Sequence, residues 1–128
     1  MNISIHTTKK DEVIDITNRI EEHLNENDNG ICIIFIKHTT ACITTADLDP
    51  GTDLDLLEAL RKILPEIKYR HPHNPAHTPD HILSSVISPS ITVPFSQGEL
   101  ALGTWQRVVL IELDGPRDRN IELTIIKT

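Results

Sequence analysis

Apolar and polar residues alternate from Asn2 to Thr7, with Ile3 and Ile5 on one side, and this period of two predicts a half-buried strand. The period changes over Asp11 to Asn27. There Val13, Ile16, Ile20 and Leu24 recur at helical spacing and predict a helix, stopped by the turn Asn25-Glu26-Asn27-Asp28-Asn29-Gly30. The apolar run from Ile31 to about His38 predicts a strand, and Ile43-Thr44-Thr45 predicts another beyond a bend. Asp49-Pro50-Gly51-Thr52 then marks a helix start. Thr52 is placed to cap the first turn, Asp53 and Asp55 complement the positive end of the dipole, and Asp55 stands at the capping-box position. Leu56, Leu57, Leu60, Ile63 and Leu64 make one apolar face, Arg61 and Lys62 favour the carboxyl end, and Pro65 stops the helix. Tyr69 to His81 carries Pro72, Pro75 and Pro79 and reads as an irregular loop. A short turn of helix follows, then strands near 90–95, 98–102, 105–113 and 120–127, with turns at Ser96-Gln97-Gly98-Glu99 and Asp114-Gly115-Pro116. Strands dominate and two helices are inserted among them, so the expected class is α+β, in one domain over 1–128.

Composition narrows the function. A chain of 128 residues has the size of one domain with one core. A formal charge of −7 argues against a nucleic-acid backbone or an anionic membrane as partner, and one Trp, one Tyr and two Phe offer little to stack bases on. No apolar run is long enough to cross a bilayer, and the start Met1-Asn2-Ile3-Ser4 lacks signal-peptide character, so the cytoplasm is the expected location. Cys32 and Cys42 form no CxxC pair; Cys32, inside an apolar run, is expected to be a buried reduced thiol. A small ligand handled at a local site fits this composition best.

Four of the seven histidines fall between His71 and His81, at 71, 73, 77 and 81. Imidazole ligates zinc, iron and nickel and carries protons near neutral pH. In an extended segment His71 and His73 would share a face, and the prolines lower the entropy lost in holding the loop. His38 ends an apolar strand, where site residues are often displayed, and Asp47 is placed to orient a histidine or meet a hard cation, whereas Asp49 serves the turn before Pro50. His38, His73, His77 and His81 are the expected metal set, for zinc or magnesium. Trp105 is expected to be a core or interface anchor, Gly103 to mark a special backbone angle or close approach, and strand 105–113 to be able to supply an apolar interface. Ser84 and Ser85 could bond phosphate. Walker, GxGxxG and GxSxG patterns are absent, against nucleotide hydrolysis, dinucleotide chemistry and a hydrolase triad.

These segments resemble the YjbQ-like family of secondary thiamine-phosphate synthases. The matching residues are His38-Thr39-Thr40-Ala41, Asp49-Pro50, Asn74 with His81, Ser84-Ser85, Ser90-Ile91-Thr92-Val93-Pro94, and Gly98-Glu99-Leu100-Ala101-Leu102-Gly103-Thr104-Trp105-Gln106. The resemblance implies a sandwich-like α+β fold, assembled as a homotrimer with sites near subunit boundaries. It implies that His38 and His81 belong to the site with Thr104, Trp105 and Gln106, and that Asp47 takes the acidic role. Thr39, Thr40, Asn74, Ser84 and Ser85, with Arg117 or Arg119, are the expected substrate donors. The implied reaction joins a pyrimidine-methyl diphosphate to a thiazole phosphate and expels pyrophosphate, which requires a divalent cation or donors on the leaving group. Two other functions suit the same residues: a zinc-dependent hydrolase or lyase, and a non-catalytic protein that binds a phosphorylated metabolite.

Overall fold

The computed structural model describes residues 1–128. It has eight strands and three helices: β1 (Asn2–His6), β2 (Glu12–Asp15), α1 (Thr17–Glu21), β3 (Asn29–Ile36), β4 (Ala41–Ala46), α2 (Thr52–Ile63), α3 (Thr78–Ile87), β5 (Ser90–Ser96), β6 (Glu99–Leu100), β7 (Arg107–Glu112) and β8 (Asp118–Lys127). A 3-10 turn, Pro75–His77, leads into α3. Every strand pair is antiparallel, in a five-stranded sheet ordered β1-β8-β3-β5-β6 and a three-stranded sheet ordered β2-β7-β4. The class is α+β, as the sequence predicts. No helix is long and apolar enough to cross a membrane.

The molecule has three layers, and the middle one is the small sheet. Ile3 and Ile5 of β1, Ile34 and Ile36 of β3, Ile121 and Leu123 of β8 and Phe95 of β5 meet Ile43 of β4 and Val108 and Leu110 of β7. On the opposite face of that sheet, Cys42, Val109, Ile111 and Leu113 meet Leu57 of α2 and Leu83 of α3. Alternate residues of β7 therefore enter different cores, which is why Val108 to Ile111 is apolar without a break. Both edges of β7 are also paired, so of the segment 105–113, expected to be able to supply an apolar interface, only the residues ahead of the strand, such as Trp105, remain exposed to do so.

The segment 11–27 is a strand and a single helical turn rather than one helix. Val13 and Ile14 pair with Ile111 and Leu110, and the β-branched pair suits this ladder better than a helix. Asp15 ends the strand by accepting the Thr17 N–H at 3.0 Å. Helix α2 holds its predicted range, but Gly51, at φ +88°, occupies the cap position instead of Thr52. Of its expected apolar face only Leu57 is buried, and Ile63 faces solvent. The predicted loop 69–81 is helical at its end because Pro75 and Pro79 stand in first turns, where a missing N–H is no loss.

Candidate functional site

The β3–β4 connection, the start of α3 and the β7–β8 turn meet at one end of the small sheet around a cleft of about 670 Å³. Lys37, His38, Thr39 and Thr40 come from the first segment and His77 and His81 from the second. Asp114, Arg117, Asp118 and Arg119 come from the third, and no hydrophobic side chain lines the cleft. An adjoining cavity of about 380 Å³ shares His38, Thr39 and His81 and adds Ser84, Ser85 and Pro89. The turn that carries Asp114 and Arg117 needs its glycine: a Cβ on Gly115 would run into the Lys9 backbone carbonyl and lie 2.8 Å from Glu112 Cγ and 2.9 Å from Thr7 Oγ1.

Backbone contacts set the two principal histidines in their roles. The Asn120 N–H donates to His38 Nε2 at 2.9 Å, so the proton of this neutral ring sits on Nδ1. The His81 ring bonds the Thr39 carbonyl through Nδ1 at 3.1 Å; a carbonyl only accepts, so His81 Nδ1 carries the proton, and in the neutral ring Nε2 keeps its lone pair. The tautomer is the same in both rings, but the nitrogen left free differs. His38 thus offers a donor and His81 an acceptor. Burial, and then the nearby Arg119 guanidinium, hold the His38 imidazole below its ordinary value, with Glu112 acting in the opposite sense. The His71 ring stacks on His81 with centroids 5.2 Å apart, and its own Nδ1 accepts the N–H groups of His73 at 3.3 Å and Asn74 at 3.2 Å.

Beneath the cleft lies a buried ion pair, Arg119 with Glu112. Arg119 Nε donates to Glu112 Oε1 at 2.9 Å and Nη2 donates to Thr40 Oγ1 at 2.9 Å, while Thr7 Oγ1 donates to Glu112 Oε1 at 2.7 Å. Burial alone would raise the Glu112 carboxyl; the bonds from Arg119, Thr7 and the Asp114 N–H outweigh it and leave the group below the usual carboxylate range. The network ties Thr40 to β7 and β8.

Of the residues singled out in the sequence, His38, Thr39, Thr40, His77 and His81 line the main cleft, and Ser84 and Ser85 line its neighbour. Ser84 Oγ is buried without a partner, and Ser85 Oγ donates to the His81 carbonyl at 3.0 Å. Asn74 caps the 3-10 turn, accepting the Ala76 N–H at 3.0 Å. His73 is exposed, with its ring 6.1 Å from His71.

Asp47, Thr104, Trp105 and Gln106 stand elsewhere. They line a pocket at the opposite end of the β4–β7 ladder, because Ala41 pairs with Glu112 and Ala46 with Arg107. The five steps from Ala41 to Ala46, at roughly 3.3 Å per residue, put the two ends about 17 Å apart. Asp47 accepts the Asp49 N–H at 3.0 Å, and Gln106 bridges the Gly103 N–H at 3.0 Å and Thr45 Oγ1 at 3.1 Å. Trp105 is 71 % exposed, so it is no core anchor of this chain. Gly103 has neither a positive φ nor a tight neighbour; its nearest approach to an added Cβ is Gln106 Oε1 at 3.5 Å.

The expected metal set does not assemble within the chain. No three His, Cys, Asp or Glu side chains are arranged to hold an ion. His38 Nε2 already accepts the Asn120 N–H, and His73 lies off the cleft. A closed zinc site, which takes three or four such ligands, does not fit these side chains. The two thiols are no alternative: burial pushes Cys32 up to about 11 and, with Glu112, Cys42 up to about 12. Sequence reasoning missed Lys37, Asp114 and Asp118. Their only local sign is charge at strand ends beside the Gly115-Pro116 turn.

A sequence model of the family described as "UPF0047 protein YjbQ-like" matches residues 1–128. The chain belongs to this family. It is 36 % identical over 124 residues to a UPF0047 protein of Mycobacterium tuberculosis (strain CDC 1551 / Oshkosh), covering 94 % of this chain and 95 % of that one. It is 38 % identical over 120 residues to UPF0047 protein YugU of Bacillus subtilis (strain 168), covering 91 % of each. Among solved structures, an uncharacterized YjbQ/UPF0047 protein of Clostridium acetobutylicum superposes with a TM-score of 0.87 at 35 % identity, over 98 % of this chain and 99 % of that one. A conserved hypothetical protein of Thermus thermophilus superposes with a TM-score of 0.88 at 28 % identity, over 98 % and 99 % of the two chains. The resemblance read from the His38 and Trp105 segments is thereby shown at the level of the family.

Proposed function

We propose that the histidine cleft binds a small phosphate-bearing metabolite and acts as a transferase of the thiamine-phosphate synthase type. The observation that carries this reading is the polar cleft in which His38 is held as a donor and His81 as an acceptor beside Lys37 and Arg117. In the joining reaction a bond forms between the methylene carbon of the pyrimidine and the thiazole nitrogen, while the carbon–oxygen bond to the diphosphate breaks. The nitrogen attacks with its own lone pair, so the protein's task is orientation and neutralisation of the leaving charge. Lys37, Arg117 and the His38 Nδ1–H are the donors for that charge, and the His81 Nε2 accepts an N–H or O–H of the substrate. Asp114 and Asp118 also face the cleft, and two carboxylates suffice for magnesium that arrives on a diphosphate and neutralises it.

The reading includes an assembly of like chains, a homotrimer. Exposed Trp105, with Gln106, stands at the opposite end of the ladder from the histidines of its own chain, about 17 Å away by strand length, so a second copy is needed to bring the two halves of the signature together. The test supplies the purified protein with both precursors, with magnesium, manganese or zinc and without metal. Thiamine phosphate and pyrophosphate should form, and His81→Asn should reduce both. Absence of product under every condition overturns the transferase; binding of the diphosphate without turnover would leave a metabolite-binding protein.

A further inference from the structure

The cleft walls are tied together from behind by a residue that touches none of the cleft. Arg61, near the end of α2, spreads one guanidinium over three segments. Its Nε donates to Asp11 Oδ2 at 2.9 Å and its Nη2 pairs with Asp11 Oδ1; its Nη1 donates to Asp80 Oδ1 at 2.5 Å, and Nη2 also donates to the Leu113 carbonyl at 2.9 Å. Lys10 reinforces the same knot, donating to the Leu113 carbonyl at 2.6 Å and reaching Asp80 Oδ2 at 3.5 Å. The hydrogen bonds of Asp11, first, and of Asp80 raise Arg61 above its ordinary range, against the effect of burial.

The positions of these partners give the knot its meaning. Asp80 immediately precedes His81, and Leu113 immediately precedes Asp114. One planar fork therefore joins the first turn of α3, which carries His81, to the end of β7, which leads into the turn with Asp114 and Arg117. Asp80 is 1 % exposed, so its carboxylate finds no substitute partner in water. No residue of α2 lines the cleft, yet α2 supplies the group that links two of its walls.

We infer that Arg61 is a positioning residue: through Asp80 and Leu113 it holds His81 where its Nδ1–H reaches the Thr39 carbonyl, and so sets the tautomer that His81 presents to the cleft. Arg61 acts through geometry and touches no ligand. A lysine cannot replace it fully, because a point charge cannot reach three acceptors in one plane.

Imidazole nitrogen NMR of the full chain reads the His81 tautomer directly. In the wild-type chain His81 should show Nδ1–H. In Arg61→Gln the ratio of Nδ1–H to Nε2–H should fall about fivefold, the equivalent of one net hydrogen bond, with Arg61→Lys between the two. Leu57→Ala, which loosens α2 by removing core packing, should leave the ratio unchanged; a mere anchoring role for Arg61 would predict the same tautomer change in both. Asp80→Asn removes one link while sparing the Asp11 and Leu113 bonds, and it replaces Arg61→Gln if that variant does not fold. A wild-type ratio in both variants, or an equal change in Leu57→Ala, overturns the inference. The readout needs no ligand: if no thiamine phosphate forms from the two precursors, the proposed transferase falls while the tautomer result still judges Arg61.

Discussion

The two ends of the β4–β7 ladder carry the two halves of the family signature and are built in opposite ways. The histidine end is knitted: His38, His81, Thr40 and Arg119 each bond a backbone or a buried partner from a distant segment. The tryptophan end is loose. Trp105 projects into solvent, and Gln106 is held only by Gly103 and Thr45 around an exposed turn. One end is therefore preorganised within a single chain, whereas the other displays Trp105 to solvent. A large exposed aromatic next to amide and hydroxyl groups has the composition found at interfaces, and it is this end that the proposed assembly would cover.

The strongest way to break this contrast is to remove a charge from each end. Arg119→Ala strands the buried Glu112 carboxylate and should destabilise the fold by about 3–5 kcal/mol in urea unfolding. Arg107→Ala, which loses a half-exposed pair with Asp15, should stay within about 1 kcal/mol. Equal losses would erase the difference between the ends. Glycines give a milder version of the same comparison. Gly115→Ala must displace the Lys9 backbone carbonyl as well as Glu112 and Thr7 and should cost about 3 kcal/mol, while Gly103→Ala should change stability by less than about 0.5 kcal/mol.

Acid should act on the histidine end first. Glu112 has a depressed folded value, so its contribution is present above the ordinary carboxylate range and is lost as pH falls through the folded value. His38 is also depressed. As pH drops through the ordinary histidine range the unfolded chain takes up a proton that the folded ring refuses, so stability already declines there. Stability measured from about pH 8 downward should fall in two windows, and His38→Gln should remove the upper one; an unchanged upper window would show that other groups cause it. The smallest stability effect belongs to Trp105→Ala, less than about 0.5 kcal/mol for one isolated chain. Its fluorescence is more informative. As the sole tryptophan, Trp105 should emit like exposed indole in dilute single chains and shift to the blue where a second copy covers it; no shift in an assembled sample would argue that this end stays bare.

Much of the architecture was legible because local period reports local burial. The alternation at Ile3 and Ile5, the apolar run at Ile31 and the leucine face beginning at Leu56 each describe one element's own surroundings. The segment 11–27 misled because only Ile16 and Ile20 share a helical turn, entering the core between the sheets, whereas Val13 matches their spacing by coincidence: it lies on a strand and packs on the helix side of the small sheet. The histidines at 38 and 81 were legible as candidates by residue type and setting. Lys37, Asp114 and Asp118 were not, because a charged residue at a strand end looks the same whether it faces a cleft or open water.

The sequence by itself determined the class, most element positions and the family, all of which depend on spacing within short stretches or on whole-chain similarity; it pointed to one core, where the structure has two, one on each face of the small sheet. Only the tertiary structure decided that Trp105 and His38 lie at opposite ends of one ladder, that β7 is sealed on both faces, and which nitrogen of each imidazole is free. Those outcomes depend on strand register and on hydrogen bonds between residues 42 and 82 positions apart, and no local pattern records either.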